Sequence, residues 1–192
     1  NYAGQITRIW DNYEKPVIIG ETGWDHTYFE PGMPGFLAMH HNILWVSLAT
    51  GSCMTPFWWA FSPRMNDVAV SSQLLNIKRF TDNIPFSKLS NLKRIEVKIP
   101  DGDGFVMQSD QVTYGWVVNP KTDVAGDPVT ISFMPDGKYK LKLFHTWRGV
   151  FLDEKEVSTT NGQIAFTVPM LRTTGGHANY IGPDVAFILE RI

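Results

Sequence analysis

Lys15-Pro16-Val17-Ile18-Ile19-Gly20-Glu21-Thr22-Gly23-Trp24 is the stretch on which the fold assignment turns. Val17 to Ile19 are apolar and β-branched without alternation, the pattern of a parallel strand buried on both faces. Pro16 closes the segment before it, because proline is poorly tolerated inside a helix. Glu21 follows at once, at the C-terminal edge of the strand, where α/β barrels and open sheets place their sites. A carboxylate there is costly to bury unless it is used or paired. Two readings stand at this point. Glu21 is a working carboxylate, with Gly20 and Gly23 leaving backbone room for a substrate, or it is a strand-end glutamate paired with an arginine.

On either side of this strand, helices and strands alternate over about 85 residues. Ile6, Ile9, Trp10 and Tyr13 recur at helical spacing ahead of it. A loop rich in Pro and Gly runs from Thr22 to Gly35. Phe36 to Thr50 is a helix, apolar over most of its circumference, and Gly51 stands where its C-terminal cap belongs. His40 and His41 point apart on that helix and read as packing or surface positions; metal-binding pairs prefer a four-residue spacing. A second buried strand is expected around Cys53 to Trp59, which makes Cys53 a buried, inert thiol. Ser71 or Ser72 then caps a helix carrying Leu74, Leu75, Ile77, Phe80 and Ile84.

From Ile95 onward the period changes to two. Short strands are expected at Ile95–Ile99, Phe105–Ser109, Val112–Val118, Val129–Phe133, Tyr139–Phe144, Glu154–Ser158, Ile164–Val168 and Val185–Leu189. Asp101-Gly102-Asp103-Gly104, Pro135-Asp136-Gly137 and Asn161-Gly162 are turn signals, glycine supplying a positive φ. Asp101 and Asp103 do not continue as a calcium loop, since Phe105 takes the next ligand position. The boundary falls between Pro85 and Arg94, giving an α/β part at residues 1–88 and an all-β part at 95–192.

A net charge of −2 with scattered Lys and Arg excludes an electrostatic grip on nucleic acid or an anionic membrane. No apolar run approaches the ~20 residues of a membrane span. A single cysteine rules out an internal disulfide framework. No phosphate loop, zinc motif or nucleophile elbow is present, so no metal and no cofactor is implied. The 7 tryptophans mark either a packed core or a surface on which sugars stack. Trp116 and Trp147 are expected in a core or interface rather than on sugar.

The quoted stretch resembles the seventh strand of clan A glycoside hydrolases, the (β/α)8 glycosidases that include family-five cellulases and mannanases. His41 to Gly51 followed by Phe57-Trp58-Trp59 resembles helix seven and strand eight of a cellulase-like bacterial subgroup. Tyr139 to Val168, with Phe144-His145-Thr146-Trp147-Arg148-Gly149, resembles the small sandwich appended to such barrels. The resemblance implies an α/β plus all-β chain: the last strands and helices of a TIM barrel, then an antiparallel β-sandwich. It implies Glu21 as the nucleophile of a retaining reaction and Trp58 or Trp59, with Trp58 favoured, as the floor of the sugar site. Trp24, Asp25, His26 and Tyr28, on the loop after Glu21, either line a subsite or are plain loop surface.

The implied substrate is a β-linked polysaccharide or oligosaccharide, and the implied compartment is extracellular, periplasmic or cell-surface. In the clan the acid/base glutamate ends strand four, and a whole barrel needs ~250 residues. The expected partner is therefore the N-terminal remainder of the barrel, as a missing segment or a second polypeptide, without which no hydrolysis occurs. The rival reading is a non-catalytic carbohydrate-binding or scaffold protein that uses the sandwich. A self-sufficient small parallel sheet is a third, opposed by the inability of two strands to cover both faces.

Overall fold

The computed structural model describes residues 2–13, 15, 17–22, 36–54, 57–58, 68–119, 124–171 and 184–192. The chain is mixed α/β and divides into two compact units, Asn1–Lys78 and Arg79–Ile192. The division falls inside a helix.

In the first unit, α1 (Tyr2–Tyr13) is amphipathic and buries Ile6 completely. Helix α2 (Phe36–Ala49) buries Leu37, Leu44, Trp45 and Val46. It stops where the sequence predicts, for a specific reason. Gly51 has φ 88°, its N–H donates to Leu48 O (3.2 Å), and Ser52 N–H reaches back to Ser47 O (2.9 Å). This pair of bonds is the Schellman termination, which requires a left-handed residue. The stop delivers Ser52 to a parallel bridge with Val17. Strands β1 (Glu21–Thr22) and β2 (Phe57–Trp58) then pair in parallel.

Three expectations in this unit need correction. Ile18 is 60% exposed: it lies between the Val17–Ser52 bridge and β1, outside the paired strands, where the sequence predicts a strand buried on both faces. Cys53 is exposed, not buried: it lies in a bend, and its N–H donates to Val17 O (2.9 Å). Helix α3 (Val68–Thr81) begins ahead of the two serines. Ser71 and Ser72 bond back to the carbonyls of Val68 and Ala69, so both lie within the helix rather than capping it.

The second unit starts with the end of α3, where Phe80 packs on Phe144 and Phe151. After a short 3-10 turn (Phe86–Lys88) it is antiparallel β throughout. The strands are β3 (Lys93–Ile95), β4 (Val97–Lys98), β5 (Asp103–Gln108), β6 (Val112–Val118), β7 (Pro128–Ser132), β8 (Lys138–His145), β9 (Val150–Ser158), β10 (Gln163–Thr167) and β11 (Asp184–Arg191). A six-stranded sheet runs β3-β5-β6-β11-β8-β9 and a three-stranded sheet β10-β7-β4. Both feed one apolar core: Val129, Ile131, Ile164 and Phe166 from the smaller sheet meet Val117, Leu141, Val185 and Phe187 from the larger. β9 is an edge strand whose Asp153-Glu154-Lys155-Glu156 run is exposed, and charge on an edge discourages further pairing.

The expected strand Ile95–Ile99 is two. Ile95 pairs with Val106 in the larger sheet, whereas Val97 pairs with Ile131 in the smaller. The chain changes sheets at Glu96, whose carbonyl accepts Ser132 N–H (3.0 Å). Asn161-Gly162 forms the predicted tight turn, with φ 52° and 71° and reciprocal Thr160–Gln163 backbone bonds. The ladder does not continue from it, since β10 pairs with β7 and not with β9.

Candidate functional site

Glu21 sits on β1 directly opposite Phe57, and Thr22 opposite Trp58. Between the Val17–Ser52 bridge and this pairing the second strand takes one residue more than the first. Without that extra residue Glu21 would face Pro56, which has no N–H to give to a ladder. The shift brings the carboxylate-bearing residue level with the Phe57-Trp58 pair.

The glutamate is exposed, and among the described residues it has no ion pair. Among the described residues, a Cβ built on Gly20 meets nothing within 4 Å. Trp24, Asp25, His26, Tyr28 and Trp59 lie outside the described residues. Trp58 is placed by its backbone on β2, next to Thr22.

The first unit also has a polar contact in its interior. His41 is fully buried and its Nδ1–H donates to Gln73 Oε1 at 2.7 Å, joining α2 to α3. His40 is also buried, and burial first, then the neighbouring His41, lowers its pKa from 6.5 to about 4. Neither histidine is at the surface, in line with the packing reading.

Trp116 and Trp147 are both buried in the second unit. Their indole N–H groups converge on Asp184: Trp116 Nε1 donates to Oδ2 (2.6 Å) and Trp147 Nε1 to Oδ1 (2.8 Å). Neither ring is offered to a ligand. Sequence reading placed the tryptophans in a core but missed the aspartate. Its signal was a charged residue just ahead of the apolar run Val185–Leu189. Among the described residues no cluster of His, Cys, Asp or Glu could hold a metal ion, and no helix is long and apolar enough to cross a membrane.

The fold is similar to part of that of solved glycoside hydrolases of families 30 and 5, and the chain spans less than half the length of each. No protein-family model matches the sequence, nor does any curated protein. Among solved structures, the chain is similar to a family 30 endoxylanase from Clostridium papyrosolvens C71, with TM-score 0.56 and 14% identity, covering 100% of this chain and 46% of that one. It is also similar to a family 5 glycoside hydrolase from Bacteroides vulgatus ATCC 8482, with TM-score 0.54 and 13% identity, covering 98% and 45%. At these identities the likeness is one of fold.

Proposed function

We propose that this chain is the nucleophile-bearing part of a retaining glycoside hydrolase acting on a β-linked polysaccharide or oligosaccharide. The observation that carries the reading is Glu21: an exposed carboxylate on the short parallel strand β1, level with Phe57-Trp58, with no ion pair among the described residues. In the proposed reaction a Glu21 oxygen attacks the anomeric carbon as the glycosidic C–O bond breaks. A second carboxyl group, ~5–5.5 Å away, protonates the departing oxygen. That group then deprotonates a water, which displaces Glu21 and restores the original anomeric configuration.

The second carboxyl group belongs to the remainder of the barrel. Two features support an incomplete barrel. The chain spans 46% and 45% of the structures it matches. Ile18, just ahead of β1 in an apolar run of the kind ordinarily covered on both faces, is largely exposed. In this reading residues 1–88 supply the last two strands of the barrel and residues 95–192 an accessory β-sandwich, with Trp24, His26, Trp58 and Trp59 around the sugar. A secreted or cell-surface enzyme is the matching setting.

The test is Glu21→Gln in the intact enzyme. Turnover falls by about 10⁴-fold or more while the circular dichroism spectrum is unchanged. Glu21→Gly supplied with azide regains turnover and releases a glycosyl azide of inverted configuration, because azide attacks from the face the glutamate has vacated. Normal turnover by the Gln variant refutes the assignment. So does hydrolysis by residues 1–192 alone, since the acid/base carboxyl would then be in this chain.

A further inference from the structure

Phe133 follows β7 in the second unit and combines two unfavourable features. Its ring is 69% exposed, against 43% for Phe86, the other exposed phenylalanine among the described residues. Its φ is 63°, a left-handed conformation that a bulky L-residue rarely adopts. The backbone on both sides is pinned: Ser132 N–H donates to Glu96 O (3.0 Å) and Met134 N–H to Gly162 O (2.8 Å). Glycine would take this conformation freely and would hide the same core, so packing does not explain a phenylalanine here.

The surroundings indicate what the ring is for. Beside it lies an open cavity of about 270 Å³, lined also by Glu96, Lys98, Asn161 and Gln163. Register puts Ser132 opposite Gln163, and partners across an antiparallel pair share a face. Ile164 and Phe166, the alternate residues of β10, enter the core, so Gln163 is on the outer face of the three-stranded sheet. Lys98 and Glu96 form an exposed ion pair at 3.4 Å along the rim. The side-chain amides of Asn161 and Gln163 make no hydrogen bond to any described residue. An apolar ring face beside unengaged amides matches a pyranose, which has C–H groups on one face and hydroxyls around its edge.

We propose that Phe133, with Asn161, Gln163 and the Glu96–Lys98 pair, forms a saccharide-binding subsite on the second unit, separate from Glu21. The ligand class rests on the glycoside-hydrolase reading; the site itself rests on the exposed, strained ring and its polar neighbours. The subsite holds the polysaccharide chain on the second unit.

The experiment is a titration of the 192-residue chain with xylohexaose and with cellohexaose, followed by ¹H–¹⁵N NMR. At least one sugar is expected to shift the side-chain amides of Asn161 and Gln163. Phe133→Ala should weaken that binding by about tenfold. Phe133→Trp should restore it. Phe133→Gly should weaken it to the same extent while raising Tm, because glycine relieves the left-handed strain; a purely structural phenylalanine would lower Tm instead. Glu21→Gln should leave these shifts unchanged, so failure of the nucleophile assignment in the intact enzyme and failure of this subsite are read separately. The proposal is overturned if neither sugar shifts these amides, if Phe133→Ala binds as the parent does, or if Phe133→Ala abolishes self-association instead of sugar binding.

Discussion

Replacing Asp184 by asparagine tests the most concentrated polar contact in the second unit. The aspartate is fully buried at the start of β11, and each of its oxygens accepts one indole N–H, at 2.6 Å from Trp116 and 2.8 Å from Trp147. Asparagine is nearly the same size but offers one oxygen and one NH₂ group. One indole therefore keeps its acceptor while the other faces a donor at a fully buried position. A lost hydrogen bond to a charged group is worth about 1.5–3 kcal/mol, and a stranded buried donor costs about 1–3 kcal/mol. Asparagine also removes whatever desolvation the carboxylate carried, which lowers the sum. The expected net destabilisation is about 2–4 kcal/mol.

Urea unfolding of the 192-residue chain, followed by near-ultraviolet circular dichroism, measures the change as a fall in midpoint at constant slope. A double-mutant cycle sharpens it. Trp116→Phe and Trp147→Phe should each be costly in the parent. One of them should become nearly neutral in Asp184→Asn, where its acceptor is already gone. If Asp184→Asn unfolds within about 0.5 kcal/mol of the parent, the size of an ordinary surface change, the two indole bonds do not hold these strands together.

Acid should weaken the first unit through His40. Its folded pKa of about 4 lies below the unfolded value of 6.5, so the unfolded chain takes up the proton first. This contribution is complete above pH 6.5 and is lost as pH falls toward 4, about 2 kcal/mol of it by pH 5. Urea midpoints between pH 7 and 5 read the slope, and His40→Gln should flatten it; an unchanged slope would count against burial as the cause. Gly115→Ala should cost about 1–3 kcal/mol, because a Cβ there would lie 2.6 Å from the Phe187 ring and 2.8 Å from Phe105 O. A Tm equal to the parent's would show that β5, β6 and β11 can move apart there.

Much of the local framework was legible in the residues. Gly51 ends α2 because only a left-handed residue closes that pair of bonds, and Asn161-Gly162 turns because both residues tolerate positive φ. The period of two placed Val112–Val118 as a strand with matching bounds. Glu21 at the end of an unalternating apolar run was visible for the same reason. These are properties of a few consecutive residues, decided by φ, by side-chain period and by the presence or absence of a Cβ.

Tertiary structure decided the questions in which distant segments compete. Ile95 and Val97 are two residues apart, yet they join different sheets, because Val106 and Ile131 offer separate ladders that no local pattern encodes. Burial of Ile18 and Cys53 depended on neighbouring strands rather than on their own apolar character. Trp116 and Asp184 lie on neighbouring strands although 68 residues separate them in sequence. Phe133 reads as the unremarkable end of a strand until the folded chain sets its ring outside, next to Gln163. Backbone preference is settled within a turn or two of chain; which side chains meet, and which stay in water, is settled only when the sheets assemble.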